Sequence, residues 1–179
     1  MPRPDLDPVT QFRELYERDY VAVFRTVYAI VLDRGEAEDL AQESFVRAYR
    51  ARHTYQPSAP VGAWLHRIAV NLALSHLRRR KLSRFLPVRL YTGPERDPHE
   101  QSDARSLVEQ ALAELTPKLR AVVALHYYQG YTREEIASLL GIPSGTVASR
   151  MAKAMLIMRR RLESGGPGDQ LLEPARSRS

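Results

Sequence analysis

The sequence predicts an all-α protein made of two small helical domains joined by a flexible linker, the C-terminal one containing a helix-turn-helix. Apolar residues recur at intervals of three or four, and no segment sustains an alternation of apolar and polar residues. The helical pattern fails over residues 83–103, where three prolines and a glycine interrupt it. Residues 135–154, EIASLLGIPSGTVASRMAKA, place a small residue, a glycine and a valine at offsets typical of a helix-turn-helix.

The first block is expected to hold three helices. Asp7-Pro8 is an N-cap and first-turn pair that predicts the start of the first helix. Asp33 and Glu36 have capping-box spacing and predict a second helix over about 36–52. A break at TYQPSAP (54–60) precedes a third helix over about 61–81. We place the first domain at 9–82.

The second block, at 104–163, is expected to hold four helices. One begins near Ala104, and Thr116-Pro117 opens the next. Thr132 and Glu135 form a capping box for a short third helix that ends at Leu140. The last helix runs over about 144–162. We expect a linker at 83–103 and a disordered tail at 164–179.

Each residue type at the turn of this second block has a physical reason. Ala137 is small enough for two helices to cross closely, and Gly141 tolerates the positive φ that a tight turn requires. Val147 is the apolar anchor of the second helix, with Met151, Ala154, Met158 and Leu162 continuing the packing stripe. Hydroxyls and bases occupy other faces of that helix and suit contacts to phosphates and base edges in a major groove. The predicted DNA-contacting residues are Ser144, Thr146, Ser149, Arg150 and Lys153. An αα-hairpin used only for packing is the alternative.

Charge is distributed unevenly along the chain. Residues 44–94 contain no Asp or Glu and 10 Arg or Lys, and residues 136–162 contain no acid and five bases. Two basic surfaces in an otherwise acidic protein indicate a polyanion contacted at two places, although chance clustering on solvated faces remains an alternative. Aromatic residues among the bases of the first stretch suit single strands, but Trp64 is favoured as a core residue. The acidic helix around Asp39 is either merely exposed or faces a basic protein partner.

Composition excludes several classes of function. The 179 residues include no cysteine, so disulfides, thiolate zinc sites and cysteine nucleophiles are excluded. The five histidines show no metal-ligand spacing, and no nucleophile triad or phosphate-binding glycine loop is evident. No apolar segment is long enough to cross a membrane, and the N-terminus lacks the apolar core of a signal peptide. We therefore expect a cytoplasmic, non-enzymatic protein without a metal or cofactor.

Three segments resemble extracytoplasmic-function sigma factors of bacterial RNA polymerase. AEDLAQESFVRAY (37–49) and AWLHRIAVNLALSHLRRRK (63–81) resemble the family's second conserved region. LTPKLRAVVALHYYQGYTREEIASLLGIPSGTVASRMAKAMLIMRRRL (115–162) resembles its fourth region. The resemblance covers about residues 9–163 and implies a promoter-specificity subunit that binds core RNA polymerase and promoter DNA. It also implies an anti-sigma factor as a further partner.

The resemblance assigns roles by position. It places polymerase contacts on the acidic helix, at Asp39, Gln42 and Glu43. It places the capture of an extruded minus-10 base in the loop 55–61 and at Asn71. It places a contact to the duplex upstream of the minus-10 element at the basic cluster, Arg78–Lys81. The implied minus-10 residues are Tyr55, Gln56, Asn71, Arg78, Arg79, Arg80 and Lys81. The last helix would read the minus-35 duplex. Many members of the family carry a basic residue at the position of Ala148 and a larger one at the position of Ala152. The resemblance therefore does not determine which promoter sequence this chain prefers.

An autonomous helix-turn-helix regulator that binds duplex DNA is the alternative. It accounts for the second block but leaves the acidic helix and the first basic stretch without a role. A nuclease is disfavoured, because acids are missing from the stretches that would meet DNA.

Overall fold

The computed structural model describes residues 5–57, 59–83 and 106–164, and these residues form seven α-helices and no β-strand. A short 3-10 turn, Arg52–Thr54, follows the second helix. The helices are α1 (Phe12–Val31), α2 (Arg34–Ala51), α3 (Val61–Ser83), α4 (Leu107–Ala113), α5 (Pro117–Tyr127), α6 (Arg133–Leu140) and α7 (Ser144–Ser164).

Local side-chain caps start three of the helices, α2, α4 and α6, and two of the predicted capping pairs are confirmed. The Asp33 carboxylate accepts a hydrogen bond from the Glu36 N–H and caps α2. Thr132 and Glu135 form the complete reciprocal capping box of α6. Asp7 does not cap α1, which is a correction: its carboxylate accepts from the Val9 N–H at 2.9 Å and closes a separate turn, so α1 begins only at Phe12.

Helices α1, α2 and α3 pack against one another and form the first helical unit. Leu15 of α1, Phe45 of α2 and Leu65 of α3 are among its buried side chains. The link from α1 to α2 is tight, because Leu32 takes a left-handed conformation with φ 58° and its N–H bonds Tyr28 O at 2.8 Å. This sharp reversal lets Asp33 cap α2 directly after α1 ends.

Helices α4 to α7 form the second unit, in which α7 contacts α4, α5 and α6. The buried side chains Leu125, Ile136 and Val147 come from three of these helices. Ser106 and Glu109 form a capping box for α4, so this helix begins at Leu107 rather than near Ala104 as predicted. The C-terminal half of α7 is tied back to α4 by Arg161, which donates to the Gln110 side chain at 2.9 Å.

The two units share one continuous apolar core, in which α5 packs on α1 and α6 packs on α3. Arg120 of α5 connects the two units by hydrogen bonds at the C-terminal end of α1. Its guanidinium donates to Ile30 O at 2.8 Å and to Leu112 O, at the end of α4, at 2.9 Å. A cation at the C-terminus of a helix also matches the negative end of the helix dipole. The units are therefore distinct in their own packing but joined in this structure.

We call the contact between the two units the seam. Further polar side chains cross the seam toward the middle of α1. The Gln129 amide donates to Ala22 O at 3.0 Å and to the Thr26 hydroxyl at 2.9 Å. Farther along the seam, the Tyr28 hydroxyl donates to the Glu109 carboxylate at 2.7 Å. Hydrogen-bond partners for these groups are thus supplied by the opposite unit.

A buried histidine lies under the seam. The Nδ1 atom of His66 is 2.8 Å from Gly62 O and 3.2 Å from the hydroxyl of Tyr131. Because a carbonyl oxygen can only accept, Nδ1 carries the proton, and Nε2 is buried without a hydrogen-bond partner among the described residues. Burial lowers the pKa of His66 and raises the pKa of Tyr131 to about 12, so both side chains are neutral near pH 7.

The predicted boundaries of linker and tail can be compared with the structure only at their edges. Ser83 is the last residue of α3 and Ser164 the last residue of α7, so each helix ends two residues after its predicted end and reaches one residue into the predicted linker or tail. The rest of the predicted linker, residues 84–103, and the rest of the predicted tail, residues 165–179, lie outside the described residues. Among the helices in the described ranges, none combines the length and apolarity that crossing a bilayer requires.

Replacing Leu65 with alanine should lower the free energy of unfolding by about 2–5 kcal/mol, because its buried side chain would leave a cavity in the core. Leu82→Ala is the matched control on the same helix, since Leu82 is exposed, and it should change stability by less than about 0.5 kcal/mol. Urea unfolding followed by circular dichroism measures both variants. Equal effects would contradict the burial of α3 described here.

Acidification should destabilise the fold through His66. Its folded pKa lies below the ordinary value of 6.5, so the unfolded chain binds the proton more readily, and stability falls as the pH drops below about 6.5. Urea unfolding of the wild type and of His66→Gln across pH 5 to 8 isolates this contribution, because the variant lacks the group. A wild-type curve parallel to that of the variant would show that His66 titrates normally in the folded protein.

Candidate nucleic-acid and polymerase interfaces

The predicted helix-turn-helix is present in α6, the turn and α7. Gly141 has φ 63°, in the left-handed region that favours glycine. The N–H of Ile142 bonds Ala137 O at 3.0 Å, which closes the turn, and Pro143 then accepts from Thr146 at 2.9 Å as α7 begins. Ala137 is partly buried against the core, while Val147 is fully buried. The geometric roles predicted for the alanine, glycine and valine are therefore confirmed.

The N-terminal half of α7 presents polar side chains to solvent. Ser144, Ser149 and Lys153 are exposed, and Thr146 and Arg150 are half-buried. The Ser149 hydroxyl donates to Thr146 O at 3.0 Å, so it lies against its own helix in the free chain. No acidic residue occupies the first turn, and the free N–H groups there add positive potential. This face can accept a phosphate backbone without charge repulsion.

The packing stripe of α7 is confirmed over its first half and ends before its predicted limit. Val147, Met151 and Ala154 are buried, and Met158 is partly buried against the core. Leu162 is 39% exposed, so the stripe does not reach it. The physical reason is that the end of α7 lies beside the short helix α4, where Arg161 rather than Leu162 makes the contact.

The predicted minus-10 residues divide between a loop and the third helix. Gln56 and Asn71 are exposed, whereas Tyr55 is half-buried. The Tyr55 hydroxyl lies 2.7 Å from Ala59 O and 3.1 Å from an oxygen of the Asp5 carboxylate, and its ring centroid lies 5.3 Å from that of Trp64. Burial and the Asp5 carboxylate raise the pKa of Tyr55 to about 12.

Asp5 holds this loop against the third helix, which the sequence did not predict. Its second carboxylate oxygen accepts from the Val61 N–H at 3.0 Å, at the first residue of α3. Trp64 is partly buried and packs against the core, which agrees with its interpretation as a core residue. The bonds from Asp5 to Tyr55 and Val61 therefore hold the loop in place, while Gln56 remains exposed to solvent.

The basic cluster, Arg78–Lys81, lies within the last turns of α3. Arg78, Arg79, Arg80 and Lys81 are all exposed in the described chain. Arg80 donates to both carboxylate oxygens of Glu36, at 2.8 and 2.9 Å, so part of its charge is already neutralised. Burial alone would raise the pKa of Glu36, but hydrogen bonds from His76 and Arg80 outweigh it and hold that pKa below its ordinary value.

The acidic face of α2 is smaller than the sequence indicated. Glu43 pairs with Arg47 at 2.7 Å, and Glu38 pairs with Arg34 at 3.0 Å. Asp39 is exposed and makes no ion pair with the residues that the structure describes. Gln42 is exposed as well.

An apolar groove borders this face between α1 and α2, and the sequence analysis missed it. Val46 and Tyr49 are exposed apolar residues on its wall, and their spacing from Gln42, about one and about two helical turns, which places them on the same helix face, was the available signal. The lining residues are Phe12, Tyr16, Gln42, Phe45, Val46, Tyr49 and Arg50. An exposed aspartate beside an apolar groove suits a protein partner with basic and apolar side chains.

Among residues 5–57, 59–83 and 106–164, no three or more His, Asp or Glu side chains are grouped so that they could hold a metal ion.

Comparisons with known proteins match both units. The model of Sigma-70 region 2 matches residues 15–83, and the model of Sigma-70 region 4 matches residues 105–158. The chain is 37% identical over 153 residues to the ECF RNA polymerase sigma factor SigE of Mycolicibacterium smegmatis, covering 82% of this chain and 59% of that relative. It is 32% identical over 154 residues to the RNA polymerase sigma-E factor of Streptomyces coelicolor, covering 86% and 87% of the two chains.

A solved structure supports the fold. The sigma factor RpoE of Bartonella quintana, solved with the anti-sigma factor NepR, is 21% identical with a TM-score of 0.69, covering 88% of this chain and all of that one. The match to region 2 covers residues 15–83, the part of the chain for which an autonomous helix-turn-helix regulator would have no use. The regulator alternative is therefore not favoured. The chain belongs to the extracytoplasmic-function sigma factors, which bind core RNA polymerase and promoter DNA and direct transcription initiation.

Proposed function

We propose that the N-terminal half of α7 reads the minus-35 element as duplex DNA. The carrying observation is a helix-turn-helix whose second helix exposes an acid-free polar face, with Ser144, Ser149 and Lys153 directed away from the core. Hydroxyls and a lysine on such a helix suit phosphates and base edges in a major groove. Thr146 and Arg150 flank this face, and half-burial restricts the conformations that their side chains adopt.

The first unit would read the minus-10 element after strand separation. Gln56 and Asn71 are exposed polar groups that can hydrogen-bond an unpaired base, while Tyr55 supports the loop from below. Arg78, Arg79 and Lys81 would contact duplex phosphates upstream, with Arg80 contributing less because Glu36 holds it. Trapping an unstacked base would offset the few kcal/mol that unstacking costs.

Core RNA polymerase would dock on α2. Asp39 supplies an unpaired negative charge, and the groove between α1 and α2 supplies apolar area beside it. Gln42 lines the groove and Glu43 lies next to it, paired with Arg47. The domains are proposed as region 2 at 9–82 and region 4 at 104–163, joined through 83–103, and the site of action is the cytoplasm.

An anti-sigma factor is the proposed regulator of this chain. The Bartonella quintana relative of similar fold was solved with one, NepR, and that pairing supports the proposal here by analogy of fold. Such a partner would inhibit the chain by covering the surfaces that polymerase or DNA requires.

Lys153→Ala should weaken transcription from a minus-35-dependent promoter, because it removes one exposed cation from the proposed groove contact. We expect a loss of about 1–2 kcal/mol in promoter binding by the holoenzyme, and a salt dependence reduced by about one phosphate contact. Arg159→Ala is the matched control, since Arg159 is an exposed base on the same helix outside the proposed reading face. Identical losses in the two variants would contradict a localised reading face.

Asp39→Arg should weaken binding to core RNA polymerase at least about tenfold, because it places a positive charge where a basic partner is expected. Glu14→Arg makes the same charge change at an exposed position of α1 and should leave polymerase affinity near the wild-type value. Fluorescence anisotropy of labelled protein titrated with core polymerase measures both. The assignment fails if Asp39→Arg binds polymerase normally or if Lys153→Ala loses polymerase binding to the same extent.

A further inference from the structure

Two prolines limit how far the loop 55–61 can hold its own shape. Pro57 and Pro60 have no backbone N–H, so neither residue can donate a bond that would tie the loop to itself. At the start of the loop, the bond from the Tyr55 N–H to Arg52 O is long, at 3.4 Å. Side chains therefore have to supply much of what fixes the position of this loop.

The carboxylate of Asp5 connects the two ends of the loop. One of its oxygens accepts from the Val61 N–H at 3.0 Å, and the other accepts from the Tyr55 hydroxyl at 3.1 Å. The same hydroxyl donates to Ala59 O at 2.7 Å, so its proton is shared between a carbonyl of the loop and Asp5. These bonds form a bridge from the first residue of the loop to its last residue, and we call it the Asp5 bridge.

Helix α3 also obtains its N-terminal cap from Asp5. The residue before its first turn is Pro60, whose side chain has no acceptor atom, whereas α2, α4 and α6 are capped by the residue that directly precedes each of them. A carboxylate at this position also matches the positive end of the helix dipole. The start of α3, where the loop ends, is therefore fixed by a residue from the segment that precedes α1.

The Asp5 bridge lies at the surface and not in the core. Asp5 is exposed, and so is Gln56, which lies between the two connected ends. The segment that carries Asp5 is anchored by other side chains, because Leu6 packs against the core and Pro8 is buried. Removing the carboxylate therefore opens no cavity in the core, and water can bond the freed N–H of α3. We expect this loss to loosen the loop far more than it destabilises the fold.

We propose that Asp5 is a positioning residue of the minus-10 reading site, which holds both ends of the loop 55–61 in the arrangement that captures the unpaired base. This inference rests on the proposed function, in which that loop reads the minus-10 element. A loop that is already ordered loses little conformational freedom when the base enters, so capture is favoured. Because a loop of fixed shape rejects a base that does not fit, the Asp5 bridge also sets the preference among minus-10 bases.

Two substitutions at Asp5 separate the bridge from the charge. Asp5→Ala removes both hydrogen bonds. Asp5→Asn removes the charge but can keep the bridge, because its carbonyl can accept from the Val61 N–H and its amide can donate to the Tyr55 hydroxyl oxygen. The Tyr55 proton is then free to bond Ala59 O alone. Asparagine is also as good an N-cap as aspartate.

Two further variants complete the set. Tyr55→Phe breaks the Asp5 bridge from its other end, while the ring, whose centroid lies 5.3 Å from that of Trp64, can keep its place. Glu14→Ala is the control for charge, because it removes one exposed carboxylate from α1 in the same helical unit. Urea unfolding followed by circular dichroism checks that each variant is folded.

The experiment uses the full-length chain with core polymerase and a promoter selected by transcription from a randomised library. Transcription is measured from this promoter and from copies in which the most strongly selected minus-10 base is replaced. The readout is the ratio of the two rates, which reports the preference for that base. We expect Asp5→Ala and Tyr55→Phe to lower this ratio at least about fivefold. Asp5→Asn should stay within about twofold of the wild type, and Glu14→Ala should leave the ratio unchanged.

The ratio separates positioning from a general loss of structure. A smaller folded fraction, or weaker binding to polymerase, lowers transcription from both templates equally and leaves the ratio unchanged. An unchanged ratio in Asp5→Ala therefore overturns the positioning role. So does a ratio that falls as far in Asp5→Asn as in Asp5→Ala, because the charge and not the bridge would then matter. If Asp5→Ala does not fold, Tyr55→Phe decides by the same criterion.

The wild type separates failure of this inference from failure of the proposed function. A wild type that shows no preference among minus-10 bases removes the proposed reading role of the first unit, whatever the variants do. A clear preference in the wild type that Asp5→Ala retains removes only the positioning role of Asp5.

Discussion

Burial of α1 from two sides is the constraint on which the arrangement of this molecule depends. One side packs on α2 and α3, and the other receives α5. Val23, Val27 and Ile30 are fully buried as a result, and the end of the helix receives the guanidinium of Arg120. A helix buried from both sides cannot belong to one unit alone, so the two units have their own helices but not entirely their own cores. In this structure the two helical units of the sigma-factor fold are therefore packed against each other and share one apolar core.

The placement of charge follows from that packing. The seam takes amide, hydroxyl and carbonyl groups together with the Arg120 guanidinium and the Glu109 carboxylate, while exposed bases remain on outward faces of α3 and α7 and the exposed Asp39 remains on α2. Surfaces of opposite sign thus point away from the seam, one kind toward DNA and the other toward a protein partner. This separation agrees with a subunit that acts between a polymerase and a promoter.

Much of the fold follows from local chemistry, and prediction from the sequence succeeded where local rules decide. Gly141 has the positive φ that its turn requires, and the Thr132 capping box starts α6 as predicted. It failed where tertiary contacts decide: the carboxylate of Asp5 accepts from the first residue of α3, 56 residues away, and the hydrogen bond from Gln129 to Ala22 spans 107 residues. Nothing in local spacing indicates such partners. The acidic helix combines both cases: Glu38 and Glu43 pair with bases four residues away on the same helix, whereas Arg80 reaches Glu36 only through folding.

Selection from a randomised promoter library by transcription with purified core polymerase tests the central claim most directly. If the two units read two elements while docked on polymerase, transcripts that depend on this chain should start downstream of two enriched sequence blocks at a fixed spacing. The chain without polymerase should select neither block strongly. Enrichment of a single block, bound at nanomolar concentration by the chain alone and without any effect on polymerase, would contradict the account.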